Sequence, residues 1–191
     1  MKNLLLGILV VFLVGSCTTD ENGIVGYGSA IALIGNGNTN EAPPANSTNP
    51  FDAVGKQYGS LLSTYYQTNG NPKAIDALTN QVNYMTKKLK GQSEFGKSTI
   101  GITSKEISVI VSSPETTVSS ILERSVLGEE AQSSLLQFFT NLISEKEEDY
   151  AVLYDFIVAY EASILGSTGI TAEEEETILG ITSVTRYALD A

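Results

Sequence analysis

The sequence predicts an all-α domain: an antiparallel bundle of about six to seven helices behind an N-terminal signal peptide and a flexible tether. Three observations predict it. From residue 49 onward, apolar residues recur at steps of three and four, the period of a helix with one buried face. Helix-start signals stand just ahead of those stripes, as in Thr103 with Glu106 and Thr171 with Glu174, the spacing of a capping box. No segment sustains the alternation of a half-buried strand.

The chain opens with Lys2 and an apolar run over residues 4–14 interrupted only by Gly7. As a helix that run reaches about 16 Å, against roughly 30 Å of bilayer hydrocarbon, so it suits a signal-peptide core better than a membrane span. Small residues Gly15 and Ser16 then lead into Cys17, the single cysteine. Val14-Gly15-Ser16-Cys17 resembles the lipobox of bacterial lipoproteins, with Val and Ser as conservative departures. The resemblance implies that residues 1–16 are a signal peptide and that Cys17 is lipidated and becomes the first mature residue. Several acyl chains there satisfy the rule that stable anchoring needs more than one. Asp20 and Glu21 resemble the surface-export signal of Bacteroidota lipoproteins, which implies outer-membrane attachment facing the cell exterior rather than the periplasm.

Residues 17–48 read as the tether. Five glycines, six asparagines and the pair Pro43-Pro44 fall between residues 22 and 49, a linker composition. Ile24-Val25 and the apolar stretch over residues 30–34 leave open a docked or strand-like alternative.

The helical domain is expected over residues 49–191. Asn49 can cap a helix with Pro50 as its first residue, and Phe51, Val54, Tyr58, Leu61 and Tyr65 draw its stripe. Asn69-Gly70 marks a turn, Asn71-Pro72 repeats the start signal, and Ile75, Leu78, Val82, Met85 and Leu89 draw a second stripe before Gly91, together an antiparallel hairpin. Thr103 with Glu106 precedes Ile107, Ile110 and Val111, a β-branched stretch that would also suit a strand. Ser113-Pro114 opens a helix with Val118, Ile121, Leu122 and Ser125; Gly128 precedes Leu135, Phe138, Phe139 and Leu142. Ser144 with Glu147 is expected to cap a helix striped by Leu153, Ile157, Tyr160 and Ile164 and stopped by Gly166. Thr171 with Glu174 caps the last, with Ile178, Ile181, Val184 and Ala188.

Composition narrows the function. The net charge of −11 argues against nucleic acid as a partner. With no histidine and one cysteine, the commonest metal ligand and the usual neutral-pH base are missing. Residues 50–100 carry six lysines against three acids, whereas residues 101–191 carry four basic residues against sixteen acids. Attraction between the first hairpin and the rest of the bundle is the favoured reading of that asymmetry, ahead of a basic patch for an anionic partner.

Residues 91–98, GQSEFGKS, match the phosphate-binding loop pattern, in which glycine amides wrap phosphates, Lys97 would reach the terminal ones and Ser98 would hold magnesium. The context argues otherwise. A working loop follows a buried strand, but here Tyr84 through Lys90 include three lysines on an amphipathic helix, and the stretch ending at Asp155 continues at helical spacing. Nucleotide is not an expected partner, and Gly91 reads as a helix C-cap. Glu173 to Glu176 are spread around a first turn, where they favour the helix dipole; Glu145, Glu147, Glu148 and Asp149 are likewise expected to open a helix. Tyr58, Tyr65 and Tyr160 lie on core stripes rather than on a binding surface.

Asn49-Pro50-Phe51-Asp52 with Val54-Gly55 resembles the opening of an uncharacterised Bacteroidota lipoprotein family. Ser183-Val184 with Arg186-Tyr187 is similar to a Ser-Val-Ala-Arg-Tyr-Ser stretch near the end of those proteins. Tyr58 and Gly59 stand where that family has His-Asn. The resemblance implies a helical, membrane-tethered domain and supplies no substrate. The expectation is therefore a non-enzymatic binding or scaffolding module, with Cys17 as lipid-attachment site and no catalytic, cofactor-binding or metal residues. Its expected partners are the membrane, through Cys17, and an envelope or extracellular protein. The alternative is a small envelope hydrolase using paired carboxylates.

Overall fold

A computed structural model describes residues 43–90 and 103–191. Among them lie seven helices and no strand: α1 (Asp52–Asn69), α2 (Ile75–Lys90), α3 (Ser104–Ser112), α4 (Pro114–Leu122), α5 (Glu129–Ser144), α6 (Tyr150–Ile164) and α7 (Ala172–Asp190). The all-α expectation holds, including for α3, whose β-branched residues are overruled by the Thr103–Glu106 capping box. None of the described helices is long and apolar enough to cross a membrane.

Helix α7 is the axis of the fold. It packs along α1 and against α6, with a lighter contact to α5. Ile178, Ile181, Val184 and Ala188 are buried as their spacing predicts, but so are Leu179, Thr182, Ser183, Thr185 and Arg186. A helix covered on several faces must bury polar side chains as well, and each then needs a partner. The Thr171 box starts this helix: Glu174 accepts from the Thr171 amide at 2.9 Å and also from the Gly128 amide at 2.6 Å. These backbone hydrogen bonds hold the Glu174 carboxyl below its usual range, and they tie the start of α7 to the turn that opens α5.

Three start signals and one helix end are relocated by packing. Helix α1 begins at Asp52 rather than Pro50, because Asn49 accepts from the Phe51 amide at 2.8 Å in a turn and sends its own amide inward. Helix α2 begins at Ile75, after a buried Pro72. The Ser144–Glu147 box does not form. Leu142 and Ile143 extend the buried face of α5 to Ser144, whose hydroxyl donates back to the Asn141 carbonyl at 2.7 Å, and α6 starts after Asp149. Helix α4 ends at Leu122, so Ser125 lies beyond it.

The core face of α1 also differs from its apolar stripe. Gly55, Tyr58, Leu62 and Tyr65 are buried, while Val54 is 43% exposed and Leu61 half-buried. The face is centred on the glycine because α7 passes there too closely for a side chain: a Cβ on Gly55 would lie 2.5 Å from the Ser183 carbonyl oxygen. Val111, expected on a core stripe, is 37% exposed.

Candidate functional site

Residues 44–49, assigned by composition mostly to the tether, are docked as a strap against the core. The Pro44 carbonyl accepts from Arg186 Nη1, the Ala45 carbonyl accepts from the Tyr154 hydroxyl at 2.9 Å, and Asn46 and Asn49 are buried. The strap, the first residue of α1, α6 and α7 meet around one guanidinium.

Arg186 is fully buried, and each of its nitrogens has an acceptor. Nη2 donates to Asp52 Oδ1 at 2.6 Å, Nε donates to Glu161 Oε1 at 3.2 Å, and Nη1 donates to the strap. Glu161, also 0% exposed, receives four donors. Asn46 Nδ2 reaches Oε2 at 2.6 Å; Asn49 Nδ2 and Thr182 Oγ1 reach Oε1 at 2.7 and 2.8 Å, alongside Arg186. Asp52 accepts further from the Asn46 amide at 3.2 Å and from the Tyr187 hydroxyl at 3.1 Å. Beside this cluster, Ser183 donates to the Asp52 carbonyl and accepts from the Gly55 amide, both at 3.1 Å.

Chemically this is a clamp. A buried ion pair is tolerated when its remaining lone pairs and protons are satisfied, and here both oxygens of Glu161 are engaged by internal donors. Asp52 and Glu161 are two carboxylates that the fold brings together, both on one arginine. Glu161, however, presents no exposed surface through which a substrate oxygen would reach it.

Six residues that carry the sequence resemblance, Asn49, Asp52, Gly55, Ser183, Arg186 and Tyr187, are the ones the fold assembles here. Their spacing is explained by packing between α1 and α7. Comparison with protein families, with curated proteins and with solved structures finds no match to this chain.

Sequence reasoning passed over Glu161, Asn46 and Thr182. Glu161 had a legible signal: it stands four residues after Ile157 and three before Ile164, on the buried face of α6. Cys17 and residues 91–98, including Lys97 and Ser98, lie outside the described residues. The segment that precedes the phosphate-loop match is helical, however, since Tyr84 through Lys90 belong to α2, and Asp155 lies within α6. Neither is the strand that a nucleotide site of that type requires.

A shallow groove of about 330 Å³ runs between α5 and α6, lined by Ser134, Gln137 and Asn141 on one side and Tyr160 and Ser163 on the other. Phe138 forms its floor, stacked on Phe156 (5.6 Å between centroids, 7° between planes) and on Tyr160 (4.5 Å, 25°). That ring is 1% exposed, so the stack is a packing device joining two helices whose backbones stay apart.

Of the core-stripe tyrosines, Tyr58 and Tyr65 are buried as expected, and Tyr160 is half-buried with its hydroxyl against Ser134 at 2.8 Å. Burial pushes the Tyr160 phenol up to about 12; burial and then the Asp52 carboxylate push Tyr187 to about 12. Burial raises Tyr58 and Tyr150 as well. Phenols raised in the folded state contribute stability that is complete below pH 10, near the unfolded value, and lost as pH rises through the folded values. Stability is therefore expected to fall from pH 10 to pH 12. A phenolate absorbance titration checks this: Tyr160 and Tyr187 should ionise near pH 12, above the ordinary phenol value near pH 10. Uniform ionisation near pH 10 in the folded protein would contradict it.

Proposed function

We propose that this chain is a bacterial envelope lipoprotein, anchored in the outer membrane through Cys17 and facing the cell exterior, whose helical domain binds or supports another envelope component without catalysis. The observation that carries the reading is the docked strap. A tether arriving from residue 17 enters the domain at residues 44–49, and that entry is bonded to Arg186, Glu161 and Tyr154 in α6 and α7. A domain displayed on a tether needs an entry that does not fray, since chain termini otherwise carry little stability of their own. The lipobox residues at 14–17 and the acidic pair behind them support the membrane side of the proposal. Satisfaction of Glu161 by four internal donors supports a structural over a catalytic use of the paired carboxylates.

Membrane fractionation and protease shaving of intact host cells test it. Wild type is expected in the membrane fraction and accessible to protease, and Cys17→Ala in the soluble fraction. Membrane attachment without protease access would move the domain to the periplasmic face. A cytoplasmic location of both forms would sink the proposal.

A further inference from the structure

The groove between α5 and α6 serves neither the clamp nor the strap. These helices follow one another in the chain and both rest on α7, yet their backbones stay apart. Ser134, Gln137 and Asn141 stand three or four residues apart on α5, as do Phe156, Tyr160 and Ser163 on α6, so each set projects from one helix face. The carboxamides of Gln137 and Asn141 are exposed, and among the described residues neither is spent on a bond within the fold. Ser134 and Tyr160 share one hydrogen bond at 2.8 Å, which leaves one hydroxyl hydrogen to donate elsewhere. Ser163 donates to the Tyr160 carbonyl at 2.7 Å, which leaves its oxygen free to accept. Phe138 is spent on packing, but the rings of Phe156 and Tyr160 are only half-buried. None of the eight lining residues carries a charge, in a chain of net charge −11.

This combination sorts ligands. A charged one would give up water for a groove that offers no counter-charge. A purely apolar one would cover both carboxamides without pairing them. An extended peptide needs separate pockets for alternate side chains, whereas this groove is one depression. A pyranose meets each demand: its hydroxyls donate and accept as the carboxamides do, and its C–H face suits the negative face of an aromatic ring. At about 330 Å³ the groove stands at the small end of ligand sites, roughly 300–1,000 Å³, with room for a sugar ring whose neighbours lie outside. We propose that the α5–α6 groove binds a neutral saccharide, held by Gln137 and Asn141 over the rings of Phe156 and Tyr160. The groove then supplies the binding role proposed above, resting on that reading for where the sugar is met and not for the contact itself.

The test places the full chain, in a detergent without a sugar headgroup, on an array of neutral and acidic oligosaccharides. Nuclear magnetic resonance titration with a retained neutral glycan follows. Retention of a neutral glycan is expected, with shifts in the side-chain NH₂ signals of Gln137 and Asn141. Gln137→Ala combined with Asn141→Ala should weaken binding about thirtyfold. Ala159→Trp, which fills the groove from an exposed position, should abolish it. Cys17→Ala should bind as wild type does, which separates failure of the anchor from failure of the groove. Retention of acidic glycans alone, retention of none, shifts confined to other parts of the domain, or full binding by the folded double variant would overturn the proposal.

Discussion

Arg186→Met is expected to cost the domain about 3–5 kcal/mol, or to prevent folding outright, because it strips the counter-charge from a fully buried Glu161 and from Asp52 together. Methionine fills much of the same volume, so the loss is electrostatic rather than a cavity. Arg186→Lys should recover little. One ammonium cannot replace a planar fork that donates at once to Glu161, Asp52 and the Pro44 carbonyl. Glu161→Gln should also destabilise, and combining it with Arg186→Met should cost less than the two losses added, because each single change leaves a charge uncompensated. Urea unfolding followed by circular dichroism measures all four. A loss below about 1 kcal/mol for Arg186→Met would mean that the clamp does not hold the strap and helices together.

Gly55→Ala is the second large effect, and its sign opposes helix propensity. Within a helix, alanine normally gains roughly 0.5–1 kcal/mol over glycine. At position 55 the added Cβ would sit 2.5 Å from the Ser183 carbonyl oxygen and 2.6 Å from its carbonyl carbon. Those are backbone atoms, so no rotamer change relieves the clash and α1 must move off α7. A loss of about 3 kcal/mol is expected, at the upper end of overpacking costs. Ser183→Ala in the same chain should not rescue it, since the clashing backbone stays. Gly180, in the interior of α7, is the control: a Cβ there meets nothing within 4 Å, and Gly180→Ala should gain about 0.5–1 kcal/mol. Thermal unfolding of both variants separates the cases, and equal effects at the two positions would contradict the close α1–α7 approach.

Much of the secondary structure was legible because its signals are local. The Thr103 and Thr171 boxes, Pro114 at a helix start and Gly128 before α5 act through hydrogen bonds and dihedrals within one turn, and the fold keeps all four. Ser144 with Glu147 shows the limit of such signals. The pattern is intact in the sequence, yet Leu142 and Ile143 have a core to reach, and α5 runs through the position where a cap would form. Val54 and Leu62 show the same limit for stripes. An apolar period names a face only within about a turn, and the glycine that sets the true face carries no hydrophobic signal at all.

The clamp was half legible. Its α1 and α7 residues stand in two short motifs at opposite ends of the domain, but nothing in either motif states that they meet. Glu161 was visible only as an acid on the buried side of an apolar helix, and Asn46 looked like linker.

By itself, the sequence determined that the domain is helical, where its best-capped helices begin, and which side chains supply the bulk of the core, because each of these depends on neighbours a few residues away. Only the tertiary structure decided that α7 is the central helix, that the face of α1 turns on Gly55, and that residues 44–49 belong to the folded body. The strap's place depends on Arg186 reaching partners 25 to 142 residues away, and the face of α1 on the approach of Ser183 to Gly55. A buried charge must find its partners wherever the chain brings them, and no local pattern records where that is.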